Sequence, residues 1–235
     1  MAQLPARPAS TKVAAFLQQV ASVPAPRAGT HRPGRLIFAI DATASRQPSW
    51  DRACHLQAEM FAAAAGHGGL AVQLAYYRGF GEFAATPFLS NGTELARRMT
   101  GVSCLGGQTQ IGKVLAHALH ETARERVAAL VFVGDAVEEP PDPLCHAAGQ
   151  LRLRGTPVFA FQEGADPAAA RVLRQVAQLS GGAYRALDSG SAAALRDLLR
   201  AVAVYAAGGH AALARLDGTA ARALAAQLPA PRPAR

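Results

Sequence analysis

Three oxygen-bearing side chains stand at every second position of one short stretch: Asp41, Thr43 and Ser45 in Asp41-Ala42-Thr43-Ala44-Ser45. One carboxylate and two hydroxyls are hard ligands, suited to a small divalent cation such as Mg²⁺ or Mn²⁺. Three oxygens alone do not make a metal site, but two more occur downstream in suggestive contexts. Thr109 follows Leu105-Gly106-Gly107-Gln108 and precedes a helical pattern, and Asp135 follows the apolar run 127–133 and Gly134. If the segments ending in Asp41 and Asp135 are neighbouring strands, the two acids sit side by side. Close carboxylates repel unless a cation lies between them.

Each of these residues also has a plainer use. Asp41 can close an Asx turn, and Ser45 can cap the next helix. Thr109 can be an N-cap, because Ile111, Val114, Leu115, Ala118 and Leu119 follow at helical spacing. Asp135 can cap or solvate a loop, and the acidic run Glu138-Glu139-Pro-Pro-Asp142 reads as a solvated loop beside it.

The frame that would position them follows from hydrophobic patterning. Leu36 to Ile40 is apolar without alternation, as expected of a central strand buried on both faces of a parallel sheet. Ligands of open α/β sheets lie beyond the carboxyl ends of such strands. Further strands are expected over 70–77, 82–89, 127–133, 156–162 and 183–187. Helices are expected over 50–65, 91–99, 109–126, 142–153, 167–180, 191–207 and 211–228. The short turn Arg78-Gly-Phe-Gly81 makes 82–89 antiparallel to its predecessor, and Pro87 places it at an edge. The alternation predicts a doubly wound α/β architecture: a mostly parallel six-stranded sheet with one antiparallel edge strand and helices on both faces.

The ordered set Asp-x-Thr-x-Ser, then Thr, then Asp resembles the metal-ion-dependent adhesion site (MIDAS) of von Willebrand factor A (vWA) domains, over roughly residues 35–208. The resemblance implies a Rossmann-like sheet. It also implies that Thr43, Ser45 and Thr109 act as direct or near-direct ligands, and Asp41 and Asp135 directly or through waters. Two departures, Gln108 before Thr109 and Ala136 after Asp135, remove no oxygen ligand.

The domain organisation expected is a basic, Pro-rich tail over 1–34, a vWA domain over 35–208, and an Ala-rich helix with a basic tail over 209–235. In the first of these, Val13, Phe16, Leu17 and Val20 fall on one helical stripe. The formal charge is +8, but the excess lies in the tails, since residues 36–207 balance acids against bases. Phe16 is the single Phe, Trp or Tyr in the two basic tails, too few for the interleaving that single-strand nucleic-acid binding wants, so no nucleic-acid partner is expected. No apolar run approaches a membrane span, so none is expected at a membrane. Three widely spaced cysteines and no apolar leader point to the cytoplasm, hence to a bacterial cytoplasmic type of vWA protein.

Other chemistries lack their signatures. There is no G-x-G-x-x-G, no phosphate loop and no G-x-S-x-G elbow. A dehalogenase-like Asp-x-Asp is absent because Thr43 holds the second position. His117 and His120 share a helical face without a third ligand. The expectation is therefore a binding module, not an enzyme. It would hold Mg²⁺ or Mn²⁺ and receive an Asp or Glu carboxylate from a partner protein in an open coordination position. The alternatives are a metal-assisted phosphoester hydrolase, and a scaffold whose metal site is vestigial.

Overall fold

The computed structural model describes residues 32–54, 56–187 and 192–229. The amphipathic stripe at Val13 to Val20 lies outside them. Six strands form one sheet: β1 (Gly34–Asp41), β2 (Leu70–Arg78), β3 (Glu82–Ala85), β4 (Ala129–Gly134), β5 (Val158–Glu163) and β6 (Ala183–Leu187). Their order is β3-β2-β1-β4-β5-β6, with only the β2–β3 pairing antiparallel. The sheet is the mostly parallel, doubly wound one expected.

Each face of the sheet supports its own core. Leu36, Phe38 and Ile40 of β1 face one side, and Ile37 and Ala39 the other, all fully buried. On the first side lie α1 (Gln47–Cys54), α2 (Gln57–Ala65), α3 (Gly92–Thr100), α7 (Ala192–Arg215) and α8 (Thr219–Ala225), through Trp50, Met60, Leu95, Leu199 and Leu224 among others. On the second lie α4 (Ile111–Arg124), α5 (Pro141–Leu153) and α6 (Pro167–Ser180), through Leu115, Leu151 and Leu173. A strand sealed on both faces needs no polar alternation, which is why its sequence has none.

Several boundaries differ from the sequence reading. The helix expected over 50–65 is two, α1 and α2. Leu56 turns inward between them, its N–H donating to Ala53 O at 3.1 Å. Strand β3 stops at Ala85 instead of 89, because Pro87 has no N–H to continue the ladder. Pairing resumes only as the Val72–Leu89 bridge. The helix expected to end near 207 does so at a break at Gly209 within α7, whose φ of +71° suits glycine, and the helix expected over 211–228 is two, the last turns of α7 to Arg215 and α8 (Thr219–Ala225).

Residues beyond 208 do not stand apart from the sheet. Leu213, Ala221, Leu224 and Leu228 join the same core as β1. Gln227 also serves the exposed side of edge strand β6. Its amide accepts from Tyr184 N at 3.0 Å and donates to Tyr184 O at 3.2 Å, as a neighbouring strand would. Leu224→Ala is therefore expected to lower the unfolding free energy by about 2–4 kcal/mol, the cost of a core cavity. Urea denaturation checks this, and a change within experimental error would show that the C-terminal helix adds nothing to the core.

Candidate metal centre

Strand β1 lies between β2 and β4, so the chain leaves β1 toward one side of the sheet and later returns to the other. Such a switch point opens a crevice at the strands' carboxyl ends. Ile40 is in register with Val133, so Asp41 and Asp135 emerge together at that crevice. The loops from Asp41 to Ser45 and after β4 therefore share one edge, as the sequence reading required.

Asp41 is 1% exposed. Its Oδ1 accepts from Thr43 N at 2.7 Å, the Asx-type contact available from sequence. Its Oδ2 is buried without a hydrogen-bond partner among the described residues. Thr43 Oγ1 and Ser45 Oγ lie 3.5 Å apart, and Ser45 Oγ donates to Asp135 Oδ2 at 3.3 Å. Asp41, Thr43, Ser45 and Asp135 thus form one oxygen cluster. Burial is the main cause that raises the Asp41 pKa above its ordinary 3.8, with the Asp135 charge adding to it. The Thr43 hydrogen bonds and Arg46 work the other way.

Thr109 is placed differently. Its Oγ1 donates to Glu139 Oε2 at 3.0 Å and accepts from Glu138 N at 2.9 Å. Its N–H donates to Glu138 Oε2 at 2.8 Å, and Gly112 N donates to Glu139 Oε1 at 2.7 Å. The acidic run is therefore not merely solvated. Glu139 caps the N-terminus of α4, where orphan N–H groups and the helix dipole favour an anion. Both glutamates tie Thr109 to the loop after β4, and among the described residues no hydrogen bond joins Thr109 directly to Asp41 or Ser45.

Backbone contacts seat these loops on one another. Leu105 N donates to Ala42 O at 3.0 Å, Gly79 N to Leu105 O at 3.3 Å, and Gln108 N to Gly79 O at 3.2 Å. A Cβ on Gly107 would fall 2.0 Å from Gly79 O, so the glycine permits a backbone approach that any side chain would block.

Two neighbouring residues, Arg46 and Glu163, carried no role in the sequence reading. Arg46, 4% exposed, sends Nη1 to within 3.8 Å of Asp135 Oδ2 and Nη2 to within 3.0 Å of Glu163 Oε2. The Glu163 contact is close but not aligned as a hydrogen bond. Glu163 ends β5, so acids close three adjacent parallel strands; that regularity was a usable signal. Tyr77 lies beneath the cluster; its buried hydroxyl has no well-aligned partner among the described residues, although it stands close enough to Asp41 for the two to interact. Burial and the Asp41 charge push its pKa well above 10, so it is a neutral phenol. Tyr76 and Tyr77 pack into opposite cores, as successive residues of one strand do. His117 is no ligand here: its Nε2 is 2.8 Å from Gln73 Oε1.

The donor set fits a hard divalent cation. An orphaned, buried carboxylate oxygen, two hydroxyls and a second carboxylate converge in one crevice, and Thr109 stands on the adjoining loop. Among the described residues there is no cluster of three or more His, Cys, Asp or Glu able to hold a metal, so such an ion would depend on the hydroxyls.

No protein-family model and no curated protein matches the sequence. Solved structures do match. A von Willebrand factor type A protein from Catenulispora acidiphila is 16% identical, with a TM-score of 0.56 over 75% of this chain and 43% of that one. The SpRpn10 vWA domain is 9% identical, with a TM-score of 0.56 over 68% and 90%. Proximal thread matrix protein 1 from the mussel byssus, with a zinc-occupied MIDAS motif, is 16% identical, with a TM-score of 0.53 over 73% and 46%. The likeness is one of fold: this chain has the vWA fold, and it spans less than half of the Catenulispora and mussel chains.

The Asp41 environment sets a pH dependence. The folded protein holds this proton more tightly than the unfolded chain. Asp41's contribution to stability is therefore most favourable below its unfolded value, and it declines as pH rises through the folded one. Without divalent metal, Asp41→Asn should gain stability relative to wild type as pH rises above the ordinary Asp value of 3.8, measured by urea unfolding. A difference that does not vary with pH would contradict this.

Proposed function

We propose that this chain, a domain of vWA fold, is a recognition module that works through a divalent cation. Asp41, Thr43, Ser45, Thr109 and Asp135 would hold Mg²⁺ or Mn²⁺, and the ion would offer an open position to an Asp or Glu carboxylate of a partner protein. The observation that carries this reading is Asp41 Oδ2, buried and unpartnered beside two hydroxyls and a second carboxylate. A buried carboxylate oxygen without a donor is costly to leave unmet, and a cation meets it.

The ion would neutralise the carboxylates and polarise the incoming one. The protein's own groups orient it: Thr43 N fixes Asp41, Ser45 fixes Asp135, and Glu138 with Glu139 set the position of Thr109. The occupied MIDAS of the mussel protein supports a divalent metal in this fold. Recognition fits better than turnover. His117 and Lys113 are committed elsewhere, to Gln73 and to Gly81 O with the Gln110 side chain, and the carboxylates beside Ser45 and Thr109 are the proposed ligand Asp135 and the helix-capping Glu139. Cys104 and Cys145 form no disulfide among the described residues, and a cytoplasmic location is part of the same proposal. Among the described residues no helix is long and apolar enough to cross a membrane.

Mn²⁺ relaxation or calorimetry on the full chain is expected to show one saturable site, with Kd on the order of millimolar because only two formal charges face the ion. Asp41→Ala should abolish it with little loss of thermal stability, and Thr109→Ala should weaken it. A folded wild-type protein with no saturable site at millimolar metal rejects the reading. Metal-dependent hydrolysis of nucleotides or aryl phosphates that Asp41→Ala removes would replace recognition with catalysis.

A further inference from the structure

A permanent cation already sits at the proposed site. Arg46 directly follows Ser45, and its backbone N–H donates to Thr43 O at 2.9 Å in the short 3-10 turn Ala44–Arg46. That turn sends the guanidinium down among the strand ends, where it is almost wholly buried and poorly screened by salt. Its Nη1 lies 3.8 Å from Asp135 Oδ2, the same oxygen that accepts from Ser45 Oγ. On the other side Glu163 Oε2 is 3.0 Å from Nη2, and Glu163 itself is 6% exposed.

The geometry points to Arg46 as a tethered cation that competes with the divalent ion for Asp135, with Glu163 as the counter-charge that draws it aside, so that this pair sets the metal affinity of the site. The inference rests on the metal site proposed above. A cation bound through Asp135 would have to share that carboxylate with a guanidinium a few ångströms away, and like charges at such range repel strongly in a poorly hydrated setting. The guanidinium is not fixed by a full set of hydrogen bonds: Nε and Nη2 have no aligned acceptor. It is held by charge and by its turn, and Glu163 offers the alternative partner when Asp135 is taken. Arginine stays protonated throughout, so the competition is built in and not switched by pH.

Mn²⁺ titration of the full chain, followed by water relaxation, tests this. Arg46→Gln is expected to bind Mn²⁺ about tenfold tighter or more, whereas Arg46→Lys, which keeps the charge, should stay near wild type. Arg46→Gln takes the guanidinium away from the buried Glu163 carboxylate, which can cost the fold. The double variant Arg46→Gln/Glu163→Gln removes that strain and leaves net charge unchanged. It should be folded by circular dichroism and bind several-fold tighter than wild type. A folded Arg46→Gln or double variant with wild-type affinity overturns it while leaving the metal site standing. No saturable binding in wild type, Arg46→Gln or the double variant removes the metal site itself, and the inference with it.

Discussion

Parallel pairing of β1 with β4, and of β4 with β5, delivers Asp41, Asp135 and Glu163 to one edge of the sheet. Negative charge gathered at the end of a dry core must be met by positive charge, by donors or by protonation. The protein meets it unevenly. Arg46 stands against Asp135 and Glu163, Thr43 N serves one oxygen of Asp41, and the other oxygen of Asp41 is left without a partner. That residual deficit makes the crevice a candidate site and not simply a buried ion pair. The upward shift of the Asp41 carboxyl has the same origin.

The loops above the edge are built as one hydrogen-bonded body. The β2–β3 turn, the Gly-rich segment before α4 and the loop after β1 exchange backbone bonds through Gly79, Leu105 and Ala42. Gln110 adds its side-chain amide to Arg78 O and Gly79 O. The loop after β4 is fastened to the same body through Glu138 and Glu139. Thr109 is accordingly held by carboxylates of its own chain, so its hydroxyl has only one remaining lone pair to offer. Movement of the β4 loop would be felt at the start of α4 through these bonds.

Much of this was legible from the sequence for a simple reason. A strand buried on both faces is a continuous apolar run, and the first polar residue marks where it leaves the core; Asp41 could therefore be placed at a strand end, and Asp135 just past another. The hairpin at Gly79 to Gly81 likewise required an antiparallel edge. Local patterns failed where the outcome depended on contacts remote in sequence. The alanine-rich segment after 208 has little local signal to distinguish a docked helix from a loose one, and Leu213, Leu224 and Leu228 owe their burial to strands far upstream.

The sequence alone determined the order of elements and the sheet's one antiparallel edge, and it placed Asp41 and Asp135 each at the end of a strand, because strand periodicity and short loops fix where each apolar run leaves the core. Tertiary structure decided how those residues are electrically balanced. Arg46 looks like any surface arginine after a loop until the short turn buries it between β4 and β5. Glu138 and Glu139 look like solvated acids until the fold lays α4's N-terminus against them. Charge interactions act through space between residues distant in the chain, so which charges meet was settled only when the strands were laid side by side.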